Sequence, residues 1–295
     1  MDKGAEWPTL ALFVAVYALW AIATTWAAAL WLPLGMALAV LAIAQHSSLT
    51  HEVLHVHPTR FQTLNEALVF PCLGLFVPYL RFRDTHLAHH RDTLLTDPYD
   101  DPESNYLDPV VWQRLSRPMQ VLLSFNNTLL GRLIVGPLVG QISFMRVDWR
   151  SIRGGDRAVL RGWLWHIPAV ALVLGWLSVT AMPLWAYLIS SYIALSILKI
   201  RTFLEHRAHE RCSGRTVVIE DRGPLALIFL NNNYHVVHHM HPKVAWYQLP
   251  ALFRRNRAHY LKRNDAYHYR SYGQIFRSYF WRAKDPVPHP LWPKG

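Results

Sequence analysis

Three histidines in the stretch NNNYHVVHHMHP, residues 231–242, have a spacing suited to metal binding. His235, His238 and His239 stand at i, i+3 and i+4, so a helix would place the three imidazoles on one face. Each ring has polar nitrogens that need partners, and packing such rings together adds little stability by itself. A metal ion that takes a lone pair from each ring accounts for the cluster. The stretch therefore predicts one wall of a metal site.

Two further clusters and a single histidine extend this pattern. HEVLH contains His51 and His55, HLAHH contains His86, His89 and His90, and His206 stands in RTFLEHRAHE. Together with the first cluster they supply nine imidazoles, enough for two metal ions with four or five ligands each and a position open to dioxygen. Imidazole binds Fe, Zn, Cu and Ni, so the ligands alone do not select the metal.

HEVLH also matches the HExxH motif, in which two histidines bind zinc and the glutamate is a general base. A catalytic zinc takes three protein ligands, which would leave both HxxHH clusters unexplained. A membrane zinc metalloprotease is therefore the remote alternative. In the two-metal interpretation Glu52 orients an imidazole or a metal-bound water.

The clusters must be positioned by an apolar chain. Of the 295 residues 52% are hydrophobic and 17% charged, against about a quarter charged in soluble proteins. The apolar residues form four runs, 9–31, 34–49, 162–182 and 183–200, which we interpret as membrane spans. The sequence predicts an all-α integral membrane protein, a single domain over residues 1–295, with two transmembrane hairpins and a helical cap that carries the histidine clusters.

The placement of charge predicts the orientation. The connectors within both hairpins contain no Lys or Arg, and nearly all basic residues lie in segments 50–161 and 201–295. By the positive-inside rule both segments and both termini are cytoplasmic. The net charge of +11 then reflects topology and anionic lipid, and no nucleic-acid partner is expected. Arg is far more abundant than Lys, which favours a GC-rich bacterial genome and a bacterial inner membrane.

The series HEVLH, HLAHH and HVVHH, with paired hairpins and a histidine after the fourth span, resembles the membrane fatty acid desaturase and hydroxylase superfamily over nearly the whole chain. Members are non-haem di-iron enzymes that use O2 and two electrons on unactivated C–H bonds of lipids. The resemblance implies two iron ions, O2 as co-substrate and no catalytic residue beyond the metal centre. The implied ligands are His51, His55, His86, His89, His90, His206, His235, His238 and His239.

Several neighbouring residues are candidates for supporting roles. Four aspartates flank the second cluster, where a carboxylate can accept the other N–H of a ligand imidazole: Asp84, Asp97, Asp100 and Asp101. Asp84 and Asp97 are the preferred candidates, and the alternative is a solvated turn built on Pro98 and Pro102. His209 stands i+3 from His206 on the same predicted helix face and competes with it as ninth ligand. The candidates to hold a metal-bound water, as an Asn does in some relatives, are Asn231, Asn232 and Asn233.

The leading functional prediction is an acyl-lipid desaturase whose substrate enters from the bilayer. The alternatives are a carotenoid ketolase or hydroxylase, since HMHPKVAWYQLP resembles both groups, and an alkane or fatty-acid hydroxylase, suggested by the LEH at His206. The chain has no GxGxxG fingerprint, no CxxC-type cluster site and no HPGG haem motif. Electrons are therefore expected from an external carrier of the ferredoxin or cytochrome b5 type.

Overall fold

A computed structural model of the chain describes residues 4–90 and 93–292, which are mostly helical. The chain divides into two compact units. The first comprises Met1–Arg83 and Leu138–Ile197, and the second comprises Asp84–Pro137 and Leu198–Gly295.

Most of the described residues lie in helices, and the two longest connections follow the helices Tyr79–His89 and Leu184–Thr202. Their bounds are α1 Trp7–Leu30, α2 Leu32–Leu54, α3 Gln62–Leu68, α4 Tyr79–His89, α5 Pro109–Arg114, α6 Arg117–Asn126, α7 Leu129–Ile134, α8 Gly136–Arg153, α9 Arg157–Leu177, α10 Leu184–Thr202, α11 Pro224–Ile228, α12 His235–Met240, α13 Leu249–Arg255, α14 Arg257–Arg263 and α15 Tyr272–Tyr279. Helix α1 contains a π-helical turn at Ala23–Ala27, and 3-10 turns lie at Cys212–Gly214 and Trp246–Gln248. Two short strands, β1 Val218–Ile219 and β2 His268–Tyr269, pair in parallel.

Four of the described helices, α1, α2, α9 and α10, are long and apolar enough to cross a membrane. The prediction of an all-α chain with four spans is thus confirmed, but the span ends differ from those read from hydropathy. Helix α2 continues past Leu49 to Leu54, because the polar residues that end the apolar run keep a helical backbone. Helix α9 begins at Arg157, since the Asp156 side chain accepts hydrogen bonds from the N–H groups of Ala158 and Val159.

The first hairpin is closed by small residues. A Cβ placed on Gly35 of α2 would lie 2.7 Å from the Ala23 carbonyl oxygen and from the Ala28 Cα. Ala23, Ala27 and Ala39 are completely buried, as expected where two apolar helices approach closely. This packing holds the first part of α2 against α1.

A buried ion pair ties α8 to α4 within the first unit. Arg81 donates two hydrogen bonds of 2.9 Å from Nε and Nη2 to the Asp148 carboxylate, and the Trp163 indole N–H donates a third of 2.9 Å. The Arg81 side chain is 11% exposed and the Asp148 side chain is 2% exposed. This arrangement satisfies both charges in an apolar setting.

Asp148→Ala is expected to destabilise the protein by about 3–5 kcal/mol, because it removes the buried carboxylate that accepts two hydrogen bonds from the Arg81 guanidinium. The measurement is unfolding in detergent followed by tryptophan fluorescence. The matched control is Arg146→Ala, an exposed position on the same helix. Equal stabilities of the two variants would contradict a structural role for this ion pair.

Candidate metal centre

Helix α12 holds the third histidine cluster against the core of the second unit. Val236 and Val237 are buried with Tyr234, Phe253 and Tyr260. The Val236 N–H donates to the Val217 carbonyl at 3.1 Å, which fixes the helix beside β1. Since the valines face this core, the helical spacing turns the three imidazoles of HVVHH together to the other side.

The second cluster lies at the carboxyl end of α4. His86 and His89 are in the last turn, His90 follows it, and His86 and His89 are buried. The backbone N–H of His90 donates to the His86 carbonyl at 3.1 Å, so the helical spacing holds through the whole cluster.

His206 reaches the site from an extended segment. The chain leaves α10 at Thr202, and His206 then bridges to Thr216. The Val217 N–H donates to the Glu205 carbonyl at 3.1 Å, which holds this two-stranded turn. The expectation that His206 and His209 share a helix face is wrong, because the segment that carries them is not helical.

Four histidines of the second unit form one group. Their ligand nitrogens all lie within 4.8 Å of one another, and the members are His89, His206, His235 and His239. The His206 Nε2 is 2.8 Å from His89 Nε2 and 3.1 Å from His235 Nε2. The His89 and His235 Nδ1 atoms face the oxygens of Asp101 and Asn232, which assigns their N–H groups to Nδ1. With His89 and His235 in the neutral form that binds a metal, His206 Nε2 faces two lone pairs, and a single N–H cannot satisfy both.

A metal ion fits this geometry. An ion about 2.1 Å from each imidazole nitrogen, with neighbouring ligands at right angles, separates those nitrogens by about 3.0 Å. The observed Nε2–Nε2 distances of 2.8 and 3.1 Å match that separation. One cation would accept every lone pair that the rings direct inward, so the donor set suits a bound metal.

The other histidines of the two HxxHH clusters form a second row in the same unit. His90 Nε2 lies 2.9 Å from His86 Nε2 and 3.2 Å from His238 Nε2. These three ligand atoms again converge. The clusters thus alternate, with His89, His235 and His239 in one group and His86, His90 and His238 in the other.

Carboxylates and an amide hold the rings from behind. Asp101 Oδ1 lies 2.7 Å from His89 Nδ1, Glu103 Oε1 lies 3.0 Å from His86 Nδ1, and Asn232 Oδ1 lies 3.0 Å from His235 Nδ1. An acceptor at Nδ1 keeps the proton there and leaves the Nε2 lone pair for a metal. Such partners orient ligands and raise their basicity.

The charges around the four-histidine group favour a cation. Burial opposes a charge on His89, but the carboxylate of Glu103, aided by Asp101 and Glu205, outweighs it and raises the pKa of His89 to about 9. The positive charge favoured there is a proton on Nε2 in the metal-free protein, and a bound metal ion would replace that proton. Burial resists ionisation of Glu103 as well, yet His89 and His86 hold its pKa below the ordinary range of a carboxyl.

His206 and His235 are held as neutral ligands. Burial lowers the pKa of both imidazoles well below the usual histidine value, and neighbouring histidines add to the effect. Neutral imidazole is the form that ligates a metal. Glu205 lies beside this group, where burial raises its pKa and Arg201 at 3.1 Å opposes the shift.

HEVLH lies in the first unit, at the end of α2. His51 is in the last helical turn and His55 is the C-cap residue, and both side chains are buried. Their ring centroids are 5.2 Å apart. Glu52 Oε1 lies 3.5 Å from His51 Nδ1, so its carboxylate is placed beside an imidazole.

The remaining predicted residues lie in different environments. Asp97 accepts hydrogen bonds from the N–H groups of Tyr99 and Asp100, as in a turn, and Asp84 lies half-buried on α4. His209 Nε2 is 3.1 Å from the exposed Asp265. Asn231 donates to the Trp246 carbonyl, and Asn233 donates to the carbonyls of Ile219 and Asp221.

Two acidic residues that face the site, Glu103 and Glu205, were not predicted from the sequence, and a third, Asp101, was a candidate to which Asp84 and Asp97 were preferred. Asp101 and Glu103 hold His89 and His86, and Glu205 Oε1 lies 3.8 Å from His235 Nδ1. The sequence feature that could have identified Glu205 is its position directly before His206. Asp101 and Glu103 stood in an acidic stretch, 97–103, in which spacing alone does not show which carboxylate turns inward.

Buried imidazole groups on a chain with four membrane-length helices define a membrane-bound, metal-dependent class of enzyme. The fatty acid desaturase family model matches residues 24–271, so the chain belongs to that family. A search of curated protein sequences finds no match. The chain is a multi-pass membrane oxidoreductase of the desaturase and hydroxylase type, and the protease interpretation of HEVLH is set aside.

Proposed function

We propose that this protein is an O2-dependent di-iron acyl-lipid desaturase that introduces a double bond into a lipid acyl chain. The observation that carries the proposal is the four-histidine group backed by Asp101, in a chain of the fatty acid desaturase family. The reaction is RCH2–CH2R + O2 + 2 electrons + 2 H⁺ → RCH=CHR + 2 H2O. Hydroxylation and ketolation by the same type of site are the competing outcomes.

The ligand assignment rests on geometry in the second unit and on the family pattern in the first. The group of His89, His206, His235 and His239 is proposed to hold one iron. His86, His90 and His238 are proposed to bind the other iron. The resemblance to the family supports His51 and His55 as further ligands.

Bound iron supplies the O2 chemistry and the C–H oxidation for which no side chain has the reactivity. The protein contributes ligands and their orientation. Asp101 and Glu103 keep the protons of His89 and His86 on Nδ1, and Asn232 does the same for His235. Asn232 is thus proposed to position an imidazole instead of holding a water.

The acyl substrate is proposed to come from the bilayer, and the electrons are proposed to come from a carrier in the cytoplasm. Helices α1, α2, α9 and α10 give an acyl chain access from the bilayer. The basic segments 50–161 and 201–295 and both termini are proposed to face the cytoplasm of a bacterial inner membrane. There an acidic carrier of the ferredoxin or cytochrome b5 type would dock by charge, so turnover should fall as ionic strength rises.

The test is expression together with a ferredoxin and its reductase, followed by mass spectrometry of the extracted lipids. Acyl chains lighter by two hydrogens are expected, and His238→Ala should abolish them. The matched control is His259→Ala, an exposed histidine on α14. Acyl chains heavier by one oxygen, or unchanged acyl chains beside oxygenated carotenoids, would contradict desaturation.

A further inference from the structure

The C-terminal segment 284–292, which we name the strap, lies beyond the residues 24–271 that match the family. It nonetheless pairs with the loop 96–108. The Leu107 N–H donates to the Val287 carbonyl at 3.0 Å, and the His289 N–H donates to the Leu107 carbonyl at 2.8 Å. The strap is therefore fastened to the loop that carries Asp101 and Glu103.

The strap also contacts the segment of His206. The Lys284 ammonium donates to the His206 carbonyl at 2.9 Å, and its side chain is only 3% exposed. Asp285 lies 3.3 Å from the same ammonium and accepts a hydrogen bond from the Tyr106 hydroxyl. That hydroxyl accepts from the Ala208 N–H at 2.9 Å. Two strap residues and Tyr106 thus hold the backbone on both sides of Arg207.

The loop 96–108 has a strained residue at its start. Thr96 has a φ of +70°, which is costly for a β-branched side chain and persists only where neighbours impose it. Its N–H donates to Asp101 Oδ2 at 2.8 Å, and its hydroxyl lies 3.3 Å from His289 Nε2 in the strap. The Asp101 carboxylate thus accepts a hydrogen bond from Thr96 and also contacts His89 Nδ1.

We propose that the strap is a positioning element of the metal centre, and that Lys284 is the residue through which it fixes His206. The strap contacts the backbone of His206 directly through Lys284. It reaches Asp101, the carboxylate that contacts His89, through the loop 96–108. The family's histidine pattern ends at His239, so this role is carried by a part of the chain outside it. The inference rests on the proposed function, because it presumes that His206 binds iron.

The test is an anaerobic titration of the purified, metal-free protein in detergent with Fe²⁺ against a competing chelator. Lys284→Met is expected to weaken one of about two bound ions and to leave the other within about twofold. The weakening should be about 10- to 100-fold, the cost of losing a partner that orients a ligand. The matched control, Lys262→Met on the exposed face of α14, should bind iron as the wild type does.

Tyr106→Phe provides a second variant that removes only one hydroxyl, and it is used if Lys284→Met does not fold. Tyr106→Phe is expected to weaken the binding of the same iron ion. Lys284→Arg keeps a charged N–H donor, so its iron affinity should lie between those of Lys284→Met and the wild type. Wild-type iron affinity in a folded Lys284→Met or in Tyr106→Phe would overturn the role of the strap while leaving the desaturase proposal intact. Wild-type protein that binds no iron would instead overturn the proposed function itself.

Discussion

His206→Ala is expected to abolish product formation, with a fall of more than about 100-fold, since even the partners behind metal ligands contribute about 10- to 100-fold. His206 Nε2 stands between His89 Nε2 and His235 Nε2 at 2.8 and 3.1 Å. Removing this ring removes a ligand nitrogen that lies beside the ligand nitrogens of both His89 and His235. The measurement is desaturated lipid formed per chain, together with iron content after desalting.

His209→Ala is the matched control, because His209 is three residues away and of the same type. Its side chain is partly buried, 20% exposed, with Nε2 3.1 Å from the exposed Asp265 and Nδ1 3.1 Å from the Arg211 carbonyl. Activity and iron content of this variant should stay within about twofold of wild type, since exposed pairs contribute little. Loss of activity in His209→Ala with activity retained in His206→Ala would refute the assignment of His206.

Asp101→Asn should have the second largest effect, a fall of about 10- to 100-fold in iron affinity. The Asp101 carboxylate lies 2.7 Å from His89 Nδ1, and the side chain is 2% exposed. Asparagine keeps the shape but removes the negative charge that favours the metal-bound state. It also turns one acceptor oxygen into an N–H donor, which no longer suits both Thr96 N–H and His89.

Asp100→Asn is the control for this variant, because Asp100 is the exposed neighbour of Asp101. Unfolding of the metal-free proteins should be measured in parallel, since Asp101 also accepts the Thr96 and Glu103 N–H groups. A charged hydrogen bond contributes about 1.5–3 kcal/mol, so some loss of stability is expected as well. If iron affinity were the same in both variants, Asp101 would be a purely structural loop residue.

The histidines were predictable because their spacing has a physical meaning. HVVHH and HLAHH follow the helical repeat, so local sequence alone predicts a shared face for each cluster. The structure adds a division that spacing does not contain, with His89 in one group and His86 and His90 in the other. That division depends on how α4 and α12 pack, which is set by contacts distant in sequence.

The supporting residues were harder to predict for the same reason. Asp97 and Asp101 are both acidic and both near a proline, and loop geometry decides that Asp97 closes a turn while Asp101 faces His89. For His209 the helical spacing was applied to a segment that leaves the helix at Thr202. Hydropathy identified the spans but misplaced their ends, because caps such as Asp156 act through side-chain geometry.

The central claim is tested most directly by a single turnover of the iron-loaded, chemically reduced protein with O2 and lipids that carry perdeuterated acyl chains. Two reduced irons supply the two electrons that one desaturation consumes, so no carrier is needed. Desaturation predicts acyl chains that have lost two deuterium atoms, at up to one double bond per chain of protein, and no product from His206→Ala. Intact acyl chains, or chains that gain an oxygen and lose no second deuterium, would contradict it.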